Sequence, residues 1–150
     1  MRAQSVQAID KMIGQIRSTL AAFGLDQNTY VFFSSDNGLH MGEYSLRPGK
    51  MTPFEIDIHV PLIVVGPGVP KGQIVSEIVE NIDLCPTFTE LGGSSSLTSP
   101  DGHSLVPLLH GSTVADWRHM ALIEHHHHGP IPDPTDPDAP MPHAANPPTS

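Results

Sequence analysis

The sequence has few of the features that mark several common classes of protein. Its only cysteine is Cys85, which excludes an internal disulfide and a multi-cysteine zinc or iron–sulfur site. No apolar run approaches the roughly 20 residues that span a bilayer. The first 14 residues also lack the basic and then apolar pattern of a signal peptide. The sequence therefore predicts no membrane span and assigns the chain to no compartment.

Basic residues are also scarce. Seven lysines and arginines stand against sixteen aspartates and glutamates, which gives a formal net charge of -9 in 150 residues. Because nucleic-acid binding depends on basic side chains that neutralise phosphates, this balance argues against a nucleic-acid partner. The length corresponds to about one domain.

Hydrophobic patterning predicts an α/β fold. From Val6 to Phe23 the apolar residues recur at spacings of three and four, which predicts an amphipathic helix packed on one face and ended by Gly24. The continuous apolar runs Tyr30–Phe33 and Leu62–Val65 predict strands buried on both faces. Two weaker strand candidates are Ile74–Val79 and Met120–Ile123.

Capping and turn residues predict three shorter helices. Thr52–Glu55 has the pattern of a capping box with proline at the first helical position. Asp83 is placed to cap a helix that ends at Gly92–Gly93, and Ser104–Leu109 predicts another short helix. Cys85, at the start of the Asp83 helix, is expected to be a small buried apolar residue rather than a nucleophile.

The composition changes near the end of the chain. Eight of the sixteen prolines fall within residues 129–150, which cannot sustain regular hydrogen bonding, so we expect an irregular tail. The run His125–His128 could bind a transition metal or be what remains of a purification tag. We interpret it as the end of a strand that enters the active-site side.

Three polar residues directly follow the first predicted strand: Asp36, Asn37 and Gly38. In open α/β sheets, ligands bind beyond the carboxyl ends of the strands. A carboxylate beside a carboxamide offers only oxygen donors, which suit calcium or magnesium better than zinc. The alternative is a hairpin turn, which this triplet commonly forms. That alternative is weakened because no partner strand follows at once.

Lys50 and His40 are the other candidate site residues in this region. Lys50 lies between Gly49 and the predicted helix start, so its ammonium group could hold an anion; a solvated loop lysine is the alternative. His40 could donate to a substrate oxygen or act as an acid or base. The alternative for His40 is a loop histidine that is hydrogen-bonded to backbone.

Taken in order along the chain, several motifs closely resemble those of the sulfatase family, which belongs to the alkaline-phosphatase-like superfamily. The succession of motifs is far more specific than any one of them. The matching segments are Thr29–Gly38, His40–Glu43, Gly49–Glu55, Val60–Val64, Asn81–Phe88, Gly102–Leu109 and Ala121–Glu124. The resemblance covers roughly residues 1–128.

The resemblance implies a site and a fold. In that family the Asp-Asn pair completes a calcium site and the lysine of the Gly-Lys-x-Thr segment contacts the sulfate. This makes Asp36 and Asn37 expected metal ligands and Lys50 an expected sulfate-binding residue. His40 matches a histidine of the subgroup with an Asp-Asn-Gly-x-His-x-Gly-Glu motif. The implied fold is part of an alkaline-phosphatase-like sandwich, a mostly parallel sheet with flanking helices.

The sequence also departs from the family pattern. Sulfatases use a formylglycine nucleophile made from the cysteine or serine of a C/S-x-P-x-R motif, and these 150 residues contain no such motif. The early aspartate pair that supplies the other half of the metal site is missing as well. We therefore expect residues 1–128 to be the C-terminal portion of a sulfatase catalytic domain, which the missing N-terminal part would complete.

Three functions follow as hypotheses. The first is a fragment of a calcium-dependent sulfatase that hydrolyses sulfate esters. The second is a phosphoester hydrolase of the same superfamily, which is disfavoured because Asn37 stands where a two-zinc phosphatase needs an imidazole. The third is an inactive remnant or a piece that completes a partner chain. For the isolated chain we expect no activity, and for its family we expect sulfuric ester hydrolysis.

Overall fold

A computed structural model describes residues 2–94 and 100–124 of the chain. His125–His128 and the expected tail 129–150 lie outside the described residues. None of the helices in the described ranges is long and apolar enough to cross a bilayer. The α/β class is confirmed in its coarse form, because the described residues form helices and a small two-stranded sheet.

Both main strands form close to their predicted positions, but the expected burial on both faces is wrong within the described structure, since Ile63 is 58% exposed and Val65 is 49% exposed. Strand β1 comprises Val31–Ser34, and β2 comprises Leu62–Val65. They pair antiparallel, with Val31 opposite Val65 and Ser34 opposite Leu62. The expected parallel arrangement is therefore wrong for these strands. A parallel pair needs a crossover that carries the chain back to the starting end of the first strand. Here residues 35–61, with the short helices Glu43–Ser45 and Glu55–Ile58, return the chain at the end where β1 finishes.

Helix α1 comprises Arg2–Ala22 and confirms the helix predicted from the three-and-four spacing. The chain leaves it through Gly24, whose positive φ of 66° suits glycine. The expected packing of its apolar face is wrong within the described structure, since Val6 is 64% exposed and Phe23 75% exposed. The spacing of apolar residues predicts which of them share one face of the helix. It does not predict whether another element packs against that face.

Helix α2 comprises Glu55–Ile58, and α3 comprises Leu84–Leu91. The capping box predicted at Thr52 is wrong, because α2 begins after Phe54 and the Thr52 hydroxyl donates to the carboxylate of Asp57. Helix α3 begins and ends where predicted, and Gly93 has a positive φ of 72°. The expected burial of its cysteine is wrong, because Cys85 is a free and exposed thiol.

Helix α4 comprises Val106–Leu109, within the predicted segment, and forms the centre of the core. The buried apolar residues are Leu105, Leu108, Leu109 and Trp117. Residues of the sheet pack against this cluster, including Phe32 and Leu62. The Phe32 ring also meets Phe88 of α3 edge to face, with 4.9 Å between centroids, so one small core joins the sheet to both helices.

The two weaker strand candidates are wrong, since neither segment forms a strand in the described structure. Ile74 is 92% exposed and Met120 is 84% exposed, so these side chains bury too little to hold a strand on the core. The carbonyl of Ile78 accepts the indole N–H of Trp117 at 2.7 Å. That segment is therefore attached to the core by a side chain and not by a neighbouring strand.

Candidate functional site

The loop that follows β1 carries Asp36, whose carboxylate is held by its own neighbours. Its Oδ1 accepts the backbone N–H of Asn37 at 2.9 Å and the hydroxyl of Ser35 at 3.2 Å. The Asn81 amide donates to the Asp36 carbonyl at 3.1 Å and so ties the loop to the turn before α3. The Asn37 N–H first and then the Ser35 hydroxyl hold the pKa of Asp36 below its ordinary value of 3.8, and the charge of Lys50 adds to this effect.

The segment between β1 and α2 brings Lys50 and Asn37 together. The ammonium group of Lys50 donates to Oδ1 of Asn37 at 3.4 Å. The amide nitrogen of Asn37 donates to the Gly38 carbonyl at 2.8 Å, which fixes the orientation of the side chain. Three of the four predicted site residues therefore form one cluster, which we call the strand-end cluster: Asp36, Asn37 and Lys50.

His40, the fourth predicted residue, makes different contacts. It is 4% exposed, and its Nδ1 lies 2.9 Å and 3.0 Å from the two carboxylate oxygens of Asp57. Its backbone pairs with Gly49, N–H to carbonyl in both directions, at 2.9 Å and 3.0 Å. These contacts close the loop that ends at Lys50. The role of His40 toward substrate stays a prediction.

Asp57 is the residue that sequence reasoning missed. Its carboxylate is buried and accepts the Thr52 hydroxyl at 2.6 Å and the Thr52 N–H at 3.0 Å, besides His40. Burial disfavours the charged form, but the hydrogen bonds from Thr52 and His40 outweigh it, so the pKa of Asp57 lies below 3.8. The available signal was an acidic residue between two isoleucines, Ile56 and Ile58, in the segment that leads to β2.

Gly38 allows the loop after β1 to approach α2. Its N–H donates to the carbonyl of Asp57 at 2.8 Å. A Cβ at this position would lie 1.9 Å from the carbonyl oxygen of Ile56, so only glycine fits. The triplet after β1 is therefore packed against a helix, and it is not the tip of a hairpin.

The strand-end cluster matches a hard cation in donor type but supplies few donors. Asp36 is a carboxylate at neutral pH, as any aspartate with an ordinary or lowered pKa is, and Asn37 adds a carboxamide oxygen. Calcium takes about six to eight oxygen ligands. No group of three or more His, Cys, Asp or Glu residues in the described ranges could hold a metal ion. Asp36 and Asn37 can thus form one side of a cation site, with further ligands coming from elsewhere.

Comparison with known proteins places this geometry in a family. The model of the sulfatase family matches residues 1–94, which include α2 and the whole segment between β1 and α2. The chain belongs to the sulfatase family. The resemblance inferred from the motifs is therefore confirmed, and the strand-end cluster lies within the residues that match the family.

Curated sulfatases are similar over most of the chain. N-acetylglucosamine-6-sulfatase of Homo sapiens is 39% identical over 138 residues, which are 91% of this chain and 25% of that protein. The extracellular sulfatase SULF-1 homolog of Drosophila melanogaster is 39% identical over 126 residues, 82% of this chain and 11% of that protein. The chain thus spans a quarter or less of the length of these relatives.

Solved structures have the same fold. A phosphonate monoester hydrolase from Silicibacter pomeroyi superposes with a TM-score of 0.69 and 34% identity, over 73% of this chain and 22% of that one. A protein solved in complex with its substrate D-glucosamine-2-N,6-O-disulfate superposes with a TM-score of 0.68 and 35% identity, over 75% of this chain and 23% of that one. The first protein is named for phosphonate esters, and the second holds a sulfated sugar.

Proposed function

We propose that this chain is part of a calcium-dependent sulfate ester hydrolase and supplies some of the calcium ligands and a residue that binds the sulfate group. The observation that carries the proposal is the 3.4 Å contact between the Lys50 ammonium and Asn37 Oδ1. It places a fixed positive charge beside the oxygen donors of Asp36 and Asn37. A sulfate oxygen bound there can contact the lysine and the cation at the same time.

The residues of the chain divide the work as follows. Asp36 and Asn37 would hold the calcium ion, which would supply Lewis-acid polarisation of the sulfate oxygens. Lys50 donates to a sulfate oxygen and stabilises the negative charge that grows there in the transition state. His40, through Asp57, keeps the Lys50 loop closed. The formylglycine nucleophile expected for the family comes from a motif that these 150 residues lack.

The proposed substrates are sulfated sugars. Two relatives support this class: one is an N-acetylglucosamine-6-sulfatase, and one structure holds a disulfated glucosamine as its substrate. Both names describe sulfate groups on an amino sugar. Since those proteins are 39% and 35% identical to this chain, they support the class of substrate and not one particular ester.

A phosphonate or phosphate monoester hydrolase is the second candidate. It is favoured by two structural neighbours that are phosphonate monoester hydrolases, with TM-scores of 0.69 and 0.64. The strand-end cluster would bind such an ester through the same contacts, because both groups are tetrahedral oxyanions. Relative rates on a sulfate ester and on a phosphonate monoester with the same leaving group decide between the two functions.

The test uses the protein expressed from the longest open reading frame that encodes this chain. We expect hydrolysis of the aryl ester nitrophenyl sulfate, and we expect Lys50→Ala to lower kcat/KM by about 100-fold or more, as removal of one charge-stabilising donor does elsewhere. Lys71→Ala is the matched control, because Lys71 is exposed and lies outside the cluster. A Lys50→Ala rate equal to that of the control would refute the proposed role of Lys50.

The 150-residue chain is assayed alongside. We propose that it has no turnover alone, since it spans a quarter or less of its curated relatives and lacks the nucleophile motif. Turnover by the purified chain, free of host sulfatase, would contradict this part of the proposal and leave the assignment of Lys50 standing.

A further inference from the structure

We propose that Asp57 is a positioning residue that sets the distance between Lys50 and the Asp36–Asn37 pair. This inference rests on the proposed function, in which Lys50 binds the sulfate group. The carboxylate of Asp57 accepts hydrogen bonds from His40 and Thr52, which lie outside the strand-end cluster. It acts through the segments on either side of Lys50.

The carboxylate of Asp57 fixes the segment after Lys50. It accepts two hydrogen bonds from Thr52, one from the hydroxyl at 2.6 Å and one from the backbone N–H at 3.0 Å. Thr52 is separated from Lys50 by Met51 alone, whose φ of 76° is unusual for a residue other than glycine. A backbone in this conformation persists when its surroundings hold it, and here Thr52 is the held neighbour.

The same carboxylate fixes the segment before Lys50. His40 places Nδ1 within 3.0 Å of both carboxylate oxygens, and its backbone pairs with Gly49 in both directions. Gly49 directly precedes Lys50. A Cβ on Gly49 would lie 3.3 Å from Nε2 of His40, so the imidazole packs against the backbone of Gly49. Lys50 is thus held on both sides by groups that depend on one acid.

The backbone of Asp57 holds the other half of the site. Its carbonyl accepts the N–H of Gly38 at 2.8 Å, next to Asn37 in the chain. The side chain and the main chain of Asp57 therefore connect the residues around Lys50 to the residues around Asn37. The contact between Lys50 and Asn37 at 3.4 Å is the result of these two attachments.

The chemistry of the network explains why an acid is needed. Asp57 is buried, and a buried carboxylate is tolerated only when donors surround it. Its donors are the Thr52 hydroxyl, the Thr52 N–H and the His40 ring. Removing one donor leaves a charged group partly unsatisfied, so the loop moves to restore a partner. Small displacements of a charged group strongly weaken its contact with a bound oxyanion.

The experiment measures inhibition by inorganic sulfate in the protein from the longest open reading frame that encodes the chain. Thr52→Val removes the hydroxyl donor at nearly constant volume, and Thr52→Ser keeps the hydroxyl. We expect Thr52→Val to raise both the Ki of sulfate and the Michaelis constant for nitrophenyl sulfate by about tenfold or more. Thr52→Ser should restore most of the loss. The control is Thr89→Val, which removes a threonine hydroxyl bond to the Cys85 carbonyl in α3.

The outcomes separate this inference from the proposed function. A purely structural role lowers the folded fraction, so apparent kcat falls while Ki and the Michaelis constant do not change; that result overturns the positioning role of Asp57. If Lys50→Ala raises the Ki of sulfate and Thr52→Val does not, the inference fails and the proposed function stands. If neither variant changes Ki, the proposed function fails and the inference with it. Where Thr52→Val does not fold, Asp57→Asn is measured against the same criteria.

Discussion

Arg118 holds the buried carboxylate of Asp83 with both arms of its guanidinium group. Nη1 lies 2.5 Å from Oδ2 and Nη2 lies 2.6 Å from Oδ1, and Nη1 is also 3.0 Å from a Glu80 oxygen. Asp83 accepts two backbone N–H groups as well, from Glu80 and His103 at 2.8 Å each. This pair joins the start of α3 to the segments on both sides of α4, so it fixes the part of the chain that carries the core.

The Asp83–Arg118 pair predicts how stability depends on pH. Burial disfavours the charged Asp83, but the Arg118 and backbone hydrogen bonds outweigh it and hold its pKa below 3.8. A folded-state pKa below the unfolded value contributes stability that is present above the unfolded pKa and lost as pH falls through the folded one. We expect Asp83→Asn to destabilise the chain at pH 7 by about 1–3 kcal/mol, because the partly buried guanidinium group of Arg118 then keeps Glu80 as its charged partner but loses the paired carboxylate of Asp83.

The measurement is urea unfolding followed by the fluorescence of Trp117, the single tryptophan, which adjoins Arg118. The difference between wild type and Asp83→Asn should be full at pH 7 and should shrink as pH falls below about 4. Asp101→Asn is the control for loss of an exposed carboxylate. A difference that is the same at pH 3 and at pH 7 would show that the ion pair does not carry this stability.

The close packing of Gly38 predicts that alanine at position 38 destabilises the fold, whereas alanine at position 14 does not. Gly38→Ala should destabilise the fold by about 1–3 kcal/mol, since its methyl group meets the Ile56 carbonyl and the loop or α2 must shift. Gly14 has nothing within 4 Å of a built Cβ, so Gly14→Ala is the matched control. We expect it to raise the helical circular dichroism signal and to leave the urea midpoint seen by Trp117 unchanged. Equal midpoints for the two variants would contradict the close packing of Gly38.

The proposed calcium site predicts that calcium affinity depends on the carboxylate of Asp36. In the protein from the longest open reading frame, titration calorimetry in calcium-depleted buffer should show binding that Asp36→Ala weakens by about tenfold or more, because ligand charge sets calcium affinity. Asp10→Ala, an exposed carboxylate on α1, is the control and should bind as the wild type does. Binding that survives Asp36→Ala undiminished would place the ion elsewhere.

Local patterns predicted the secondary structure around the site. The run Leu62–Val65 forms a strand with the predicted bounds, because branched residues between Pro61 and Gly66 have few other choices. The order of motifs selected Asp36, Asn37 and Lys50 as site residues, and the structure has a hydrogen bond between Lys50 and Asn37. Their roles toward a cation and a sulfate group stay predictions.

Contacts between distant residues could not be predicted in the same way. Asp57 meets His40 across 17 positions of sequence, and nothing local shows that two polar side chains will be buried together. Thr52 matched a capping pattern, yet α2 begins only after Phe54, and the Thr52 hydroxyl donates to the carboxylate of Asp57 within that helix. Strand direction was missed for the same reason, since it depends on the path of the connecting segment and not on the strand residues.

The exposed face of α1 determines how the chain melts. Within residues 2–94 and 100–124, its main contact with another element is with the short turn Asp26–Asn28. A helix without packing depends on the propensity of its own residues, and Gly14 at its middle lowers that propensity. Such a helix frays gradually on heating, whereas the region around Trp117 loses its structure cooperatively. We therefore expect that this chain does not melt in a two-state process, and that helix content and Trp117 fluorescence report different transitions.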